Sequence, residues 1–198
     1  MEISTATWNF VVSLAAVING LGIVRLVGGF GDFLKKRKSL TVNHYWVYSV
    51  MALFQLLAHI LLWWSIVGLQ SAGNLNFLSY LYLLLGPTLM FLATTMLLPT
   101  MGDEIDLEAE YYEFRATYFT VLALFWVWVL CFWPAFGYDI SPNWPQQIVW
   151  LAMAMIMALS ANRTVHAILA PAHLFWFAVM VGRTAMELGT MAQSVSGQ

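Results

Sequence analysis

The chain has 198 residues, of which 61% are hydrophobic, 16% aromatic and 9% charged. Ordinary soluble domains carry about 25% charged and 45–50% apolar residues, so a soluble fold of this size has no way to hide the excess. A formal charge of −2 gives no electrostatic footprint for nucleic acid, and a single cysteine allows neither an intrachain disulfide nor a thiolate cluster.

A membrane helix needs about 20 mostly apolar residues. Six stretches meet or approach that length: 7–30, 45–68, 77–98, 116–136, 146–161 and 165–182. The sequence therefore predicts an all-α, polytopic membrane protein, a six-helix bundle forming one domain over residues 1–198. With so little chain outside the spans, function is expected within the bilayer, at its two surfaces or against a partner.

Span one carries Ala15, Asn19, Gly22, Arg25 and Gly29 at spacings of four, three, three and four, which is one helical face. Small residues on a membrane helix let another backbone approach, so Ala15, Asn19, Gly22 and Gly29 read as a packing surface. Arg25 projects from the same face about 7 Å short of the helix end. It is either a snorkelling side chain or a fixed charge on a polar pathway.

The run Lys35, Lys36, Arg37 and Lys38 follows span one, Arg115 opens span four, and Arg163 separates spans five and six. The second and fourth connections have no Lys or Arg. The basic side is assigned to the cytoplasm, which puts both termini outside. Met1 to Thr5 lacks the basic n-region of a cleavable signal, so span one is expected to remain attached.

In span two, Gln55 and His59 lie four apart on one face and read as interhelical hydrogen-bonding residues. Gly86-Pro87-Thr88 predicts a kink near the middle of span three. In span six, Pro171 frees a carbonyl one turn before His173. By depth, Arg25, Thr94, Thr120 and His173 fall in one cytoplasmic-half layer, a candidate polar intramembrane site. His59 and His173 differ in depth, so no haem is expected, and no metal site is predicted. Trp8, Trp63, Trp64, Trp133, Trp144 and Trp150 lie near the outer span ends and read as an aromatic belt plus packing.

Residues 103–133 contain neither Pro nor Gly. Thr100 stands three residues before Asp103, the spacing of a capping box, so span four is expected to begin as a helical extension over 103–115. On that extension Asp103, Asp106, Glu110 and Glu113 form one acidic face, able to dock the Lys35–Lys38 cluster or a basic partner.

Leu21-Gly22-Ile23-Val24-Arg25, Trp63-Trp64, Leu97-Leu98-Pro99 and the run Asp106-Leu107 through Tyr111-Tyr112 to Arg115 stand together in the first two thirds of the chain. This combination resembles a loose group of small bacterial multi-pass membrane proteins that carries no named activity. The resemblance implies a bacterial inner membrane. No catalytic residues are expected, because the nucleophile-elbow, metalloprotease and phosphate-loop signatures are all lacking. The expected function is a non-enzymatic scaffold or accessory subunit that self-associates or joins other membrane proteins, with the lipid bilayer as its surroundings and lipids its only expected ligands. The alternative is a small oligomeric channel or transporter built around Arg25 and His173.

Overall fold

The computed structural model describes residues 5–36, 41–67, 76–99, 104–136, 139–141 and 143–184. These form six helices, α1 (Thr5–Lys36), α2 (Trp46–Val67), α3 (Phe77–Leu97), α4 (Leu107–Ala135), α5 (Trp144–Leu159) and α6 (Arg163–Thr184), with two three-residue strands, β1 (Thr41–Asn43) and β2 (Glu104–Asp106).

Five of the helices, all but α5, are long and apolar enough to cross a membrane. At 1.5 Å per residue, the 16 residues of α5 reach about 24 Å, short of a hydrocarbon core of about 30 Å. Many large apolar side chains face outward, among them Phe10, Val24, Phe77, Leu78 and Phe175, each more than 65% exposed. In water such a surface would be a liability; against lipid it is the expected outer coat.

Contacts between helices fix their directions. Tyr45–Tyr112 and Gln55–Tyr118 set α2 parallel to α4. Thr94 reaches Tyr118 through Gln55 while Tyr82 lies at Trp128, which sets α3 antiparallel to α4. Gly22 beside His59, itself bonded to Thr94, and Gly29 beside Leu98 set α1 parallel to α3. Tyr82 pairs with Trp128 across α3 and α4, while Trp126–Trp150 and Arg115–Ser160 align α4 against α5. Tyr111–His166 and Phe119–His173 set α6 parallel to α4. Successive helices thus alternate in direction, and α5 turns back into α6 at 160–162. The connections before α2, before α4 and before α6 all gather at one end.

That end is closed by backbone pairing. β1 and β2 form a parallel ladder with Thr41 opposite Glu104, Val42 opposite Ile105 and Asn43 opposite Asp106. Ile105 is buried, anchoring the ladder to the bundle. The helix α4 therefore starts at Leu107, not at 103, and 104–106 are extended. Asp106 supplies the cap: its carboxylate accepts from the backbone N–H groups of Glu108 and Ala109, both at 2.9 Å, and from Asn43 Nδ2 at 3.0 Å. Those donors, Ala109 first and Asn43 next, hold the Asp106 carboxyl below its ordinary range. Thr100 and Asp103 lie outside the described residues.

Candidate functional site

Four helices meet around a chain of buried polar side chains. Asn19 is 2% exposed and Gln55, His59 and Thr94 are 0% exposed, with Tyr118 nearly as deep. Apolar helices bring these groups together because a polar group in hydrocarbon has no water to bond and must find a partner on another helix.

Distances and chemistry together determine each proton. Asn19 Nδ2 donates to the His59 carbonyl at 3.0 Å, which leaves Asn19 Oδ1 as an acceptor for His59 Nδ1 at 2.7 Å. Gln55 Nε2 lies 3.2 Å from both the Met90 carbonyl and Thr94 Oγ1, so its two hydrogens are used there. Gln55 Oε1 then accepts from the Tyr118 hydroxyl at 2.9 Å. Thr94, already accepting from Gln55, turns its own hydrogen to His59 Nε2 at 2.8 Å. His59 is thereby the Nδ1–H tautomer. The donors run one way: Tyr118 to Gln55, Gln55 to Thr94, Thr94 to His59, His59 to Asn19.

Gly22 makes room for this arrangement. A Cβ at that position would collide with the His59 imidazole, so only glycine lets α1 close on α2 at the level of the ring. Ala15 is fully buried on the same side of α1, and Gly29 lies where a Cβ would come within 3.2 Å of Leu98 Cδ2.

The structure does not assemble the layer that depth counting predicts. Arg25 and Thr120 are exposed, and Arg25 has no hydrogen bond or ion pair to another described residue. Thr94 belongs to the His59 network. His173 is fully buried but donates from Nδ1 to the Leu169 carbonyl of its own helix at 2.8 Å, with its ring edge-on to Phe54 at 5.0 Å. Equal depth along separate helices says nothing about which way each side chain points, and that direction separates these residues.

A second polar cluster lies at the ladder end. Tyr111 bonds His166 Nδ1 at 2.7 Å, whose Nε2 reaches the Ser160 carbonyl at 2.8 Å; Arg115 Nε donates to that same carbonyl at 3.2 Å. Tyr45 and Tyr112 share a hydrogen bond of 3.0 Å, and burial pushes the Tyr45 phenol up from its ordinary value. Glu108 pairs with Arg163 at 2.8 Å. Glu108 is not on the acidic face read from the sequence. Of that face, Asp106 is the cap, Glu110 is half-buried and Glu113 is exposed. Lys35 is exposed, Arg37 and Lys38 lie outside the described residues, and the side chain of Lys36 is likewise outside them. The first and third connections are joined here by the strand ladder and the Asn43–Asp106 bond.

Sequence reasoning missed Tyr118. Its signal is the seven-residue step from Tyr111, which places both hydroxyls on one face of α4. Among the described residues, no group of three or more His, Cys, Asp or Glu could hold a metal ion.

The architecture defines the class: an all-helical protein with several helices fit to span a membrane, locked internally by side-chain hydrogen bonds. No protein family model, curated protein or solved structure matches the chain.

Proposed function

We propose that this protein is a non-enzymatic scaffold or accessory subunit of a membrane assembly, acting through its outer helix surface. The observation that carries the reading is the closed donor-to-acceptor chain at the centre. Asn19, Gln55, His59, Thr94 and Tyr118 are spent on holding helices together, each tied to another helix. A transport pathway needs polar groups that can exchange partners with a passing solute, and these have none to spare. The channel alternative rests on Arg25 and His173, which contribute to no common site.

With that central network committed to packing, the reading turns to the outer surface. Outward on α1 stand Phe10, Leu14, Val17, Leu21, Val24, Val27, Phe30 and Leu34, each at least 44% exposed. On a regular helix Phe10, Leu14, Val17, Leu21 and Val24 share one face opposite to Ala15, Asn19 and Gly22, and Val27, Phe30 and Leu34 carry the exposed surface further round the helix. In this reading the face meets lipid over part of its length and a protein neighbour over the rest. The same reading puts all six helices across a bacterial inner membrane, with the ladder end cytoplasmic and both termini external, following the segregation of basic residues.

Cross-linking in native membranes tests it. Cysteines placed singly at Val17, Leu21 and Val24 in a Cys131→Ser background should yield a defined cross-linked species from at least one position. A face that gives no cross-link from any position, while control positions in helix contacts do, contradicts the scaffold reading.

A further inference from the structure

Arg25 lies deeper than the sequence boundary of span one places it. The helix α1 continues through Lys36, so eleven residues, about 16 Å of rise, separate Arg25 from its end. The neighbouring helix gives the same depth. Gly22 abuts the His59 ring, and His59 stands thirteen residues, about 20 Å, past the start of α2 at Trp46. Arg25 is three residues beyond Gly22 toward the ladder end, which leaves it about 15 Å from that end of α2. With α2 across a hydrocarbon core of about 30 Å, as the proposed function has it, Arg25 sits near the midplane.

At that depth the charge points away from its own bundle. Arg25 is exposed, beside the outward Leu21 one turn before it, and makes no hydrogen bond or ion pair with another described residue. Gly28, one turn after it, is exposed as well, with nothing within 4 Å of where a Cβ would stand, so a partner helix has room to approach. Charged residues within spans are costly to hold; they face a protein interior or water and pair with other groups. Snorkelling carries an arginine head to the interface from near a helix end, not from the midplane. Long side chains also lean toward the N-terminus of their helix, which on α1 is away from the ladder end. An outward arginine at the midplane fits a protein whose outer face on α1 is the inner face of a larger assembly.

We propose that Arg25 pairs, inside the membrane, with an Asp or Glu carboxylate on a spanning helix of a different membrane protein. This deepens the accessory-subunit reading and rests on it. A carboxylate cancels the charge and meets the guanidinium fork with two oxygens, which a hydroxyl or a single carbonyl does not. A second copy of this chain is a poor source. Copies share one orientation in a membrane, so a two-fold contact through this face sets Arg25 against Arg25 at equal depth. The described acids do not match that depth either. Asp32 lies about 10 Å nearer the ladder end along α1, and Asp139 stands beyond the far end of α4. Glu113, the deepest acid of α4, is about 9 Å into its helix, which starts level with α2 because the ladder sets Asn43 opposite Asp106.

The test places p-benzoylphenylalanine at Leu21 or Gly28 of the full chain in native membranes. The cross-linked peptide is sequenced by mass spectrometry, and the partner retained through gentle purification is quantified. The expected peptide comes from a spanning helix of another protein and contains an Asp or Glu. Arg25→Leu should lower retention of that protein at least about tenfold, and Arg25→Lys should lower it less. Arg25→Asp should be rescued by arginine in place of the partner's acid. Because Arg25 touches no described residue, the isolated Arg25→Leu chain in nanodiscs should unfold no more readily than the parent; a destabilised variant would place Arg25 in this chain's own packing and overturn the pairing. A cross-link to a second copy, a partner helix without a carboxylate, or unchanged retention in Arg25→Leu overturns the pairing and leaves the accessory-subunit reading standing. Cross-linking to lipid alone overturns the pairing in favour of a snorkelling side chain, and a parent chain that also purifies without any partner overturns both.

Discussion

Removing the imidazole of His59 strands two partners at once, the Asn19 amide oxygen and the Thr94 hydroxyl. His59→Leu is therefore expected to destabilise the fold by about 1–3 kcal/mol, measured by unfolding in mixed micelles. A double-mutant cycle with Thr94→Val should return a coupling of about 0.6–1.7 kcal/mol, the span found for interhelical hydrogen bonds in membranes. Gly22→Ala drives a methyl group into the same ring, and overpacking of that kind costs about 1–3 kcal/mol. Combining Gly22→Ala with His59→Ala should recover part of that loss, because the obstructing ring is gone. Additive losses in the double variant would contradict the close approach. At this scale the sequence is informative where spacing on one helix is enough. Gln55 and His59 share a face by their four-residue step, and Asn19 sits among small residues. Thr94 is misgrouped with Arg25 and His173 because depth can be counted from a helix end while direction about the axis cannot.

Among elements, α4 shows what composition reveals and what it conceals. A long stretch without Pro or Gly announces a long helix, and α4 runs for 29 residues. Its start is set by Asp106, whose role depends on Asn43, more than sixty residues earlier, and on a strand ladder too short to show periodicity. The cap has a pH signature. Because folding lowers the Asp106 pKa, its contribution is complete above the ordinary carboxylate value of about 3.9. It fades as pH falls from there through the depressed value. Asp106→Ala should lower the melting temperature near neutrality, and the gap from the parent protein should narrow as the pH is taken below about 4. A gap that stays constant on acidification would show that the carboxylate's charge is not what caps α4. The Glu108–Arg163 pair, with Arg163 largely exposed, should contribute little, and Arg163→Ala is expected to cost at most about 1 kcal/mol.

For the whole molecule, hydropathy announces the helices, and the contacts add their alternating directions. The α5–α6 hairpin follows from a stretch too long for one crossing, broken by Asn162-Arg163, and the structure turns the chain there. A reporter fused after Gln198 should be active only when exported, since the proposed orientation puts both termini outside; cytoplasmic activity would reverse it. The outward apolar face of α1 is compatible with lipid and with protein alike, so composition could not distinguish an isolated bundle from a subunit. That distinction is the centre of the account, and native mass measurement of the protein released gently from its own membrane addresses it most directly. The scaffold reading predicts a species heavier than the 22.4 kDa chain, as a defined homo-oligomer or a stoichiometric complex with other membrane proteins. A bare monomer of 22.4 kDa under every mild condition, with no partner retained, would contradict it.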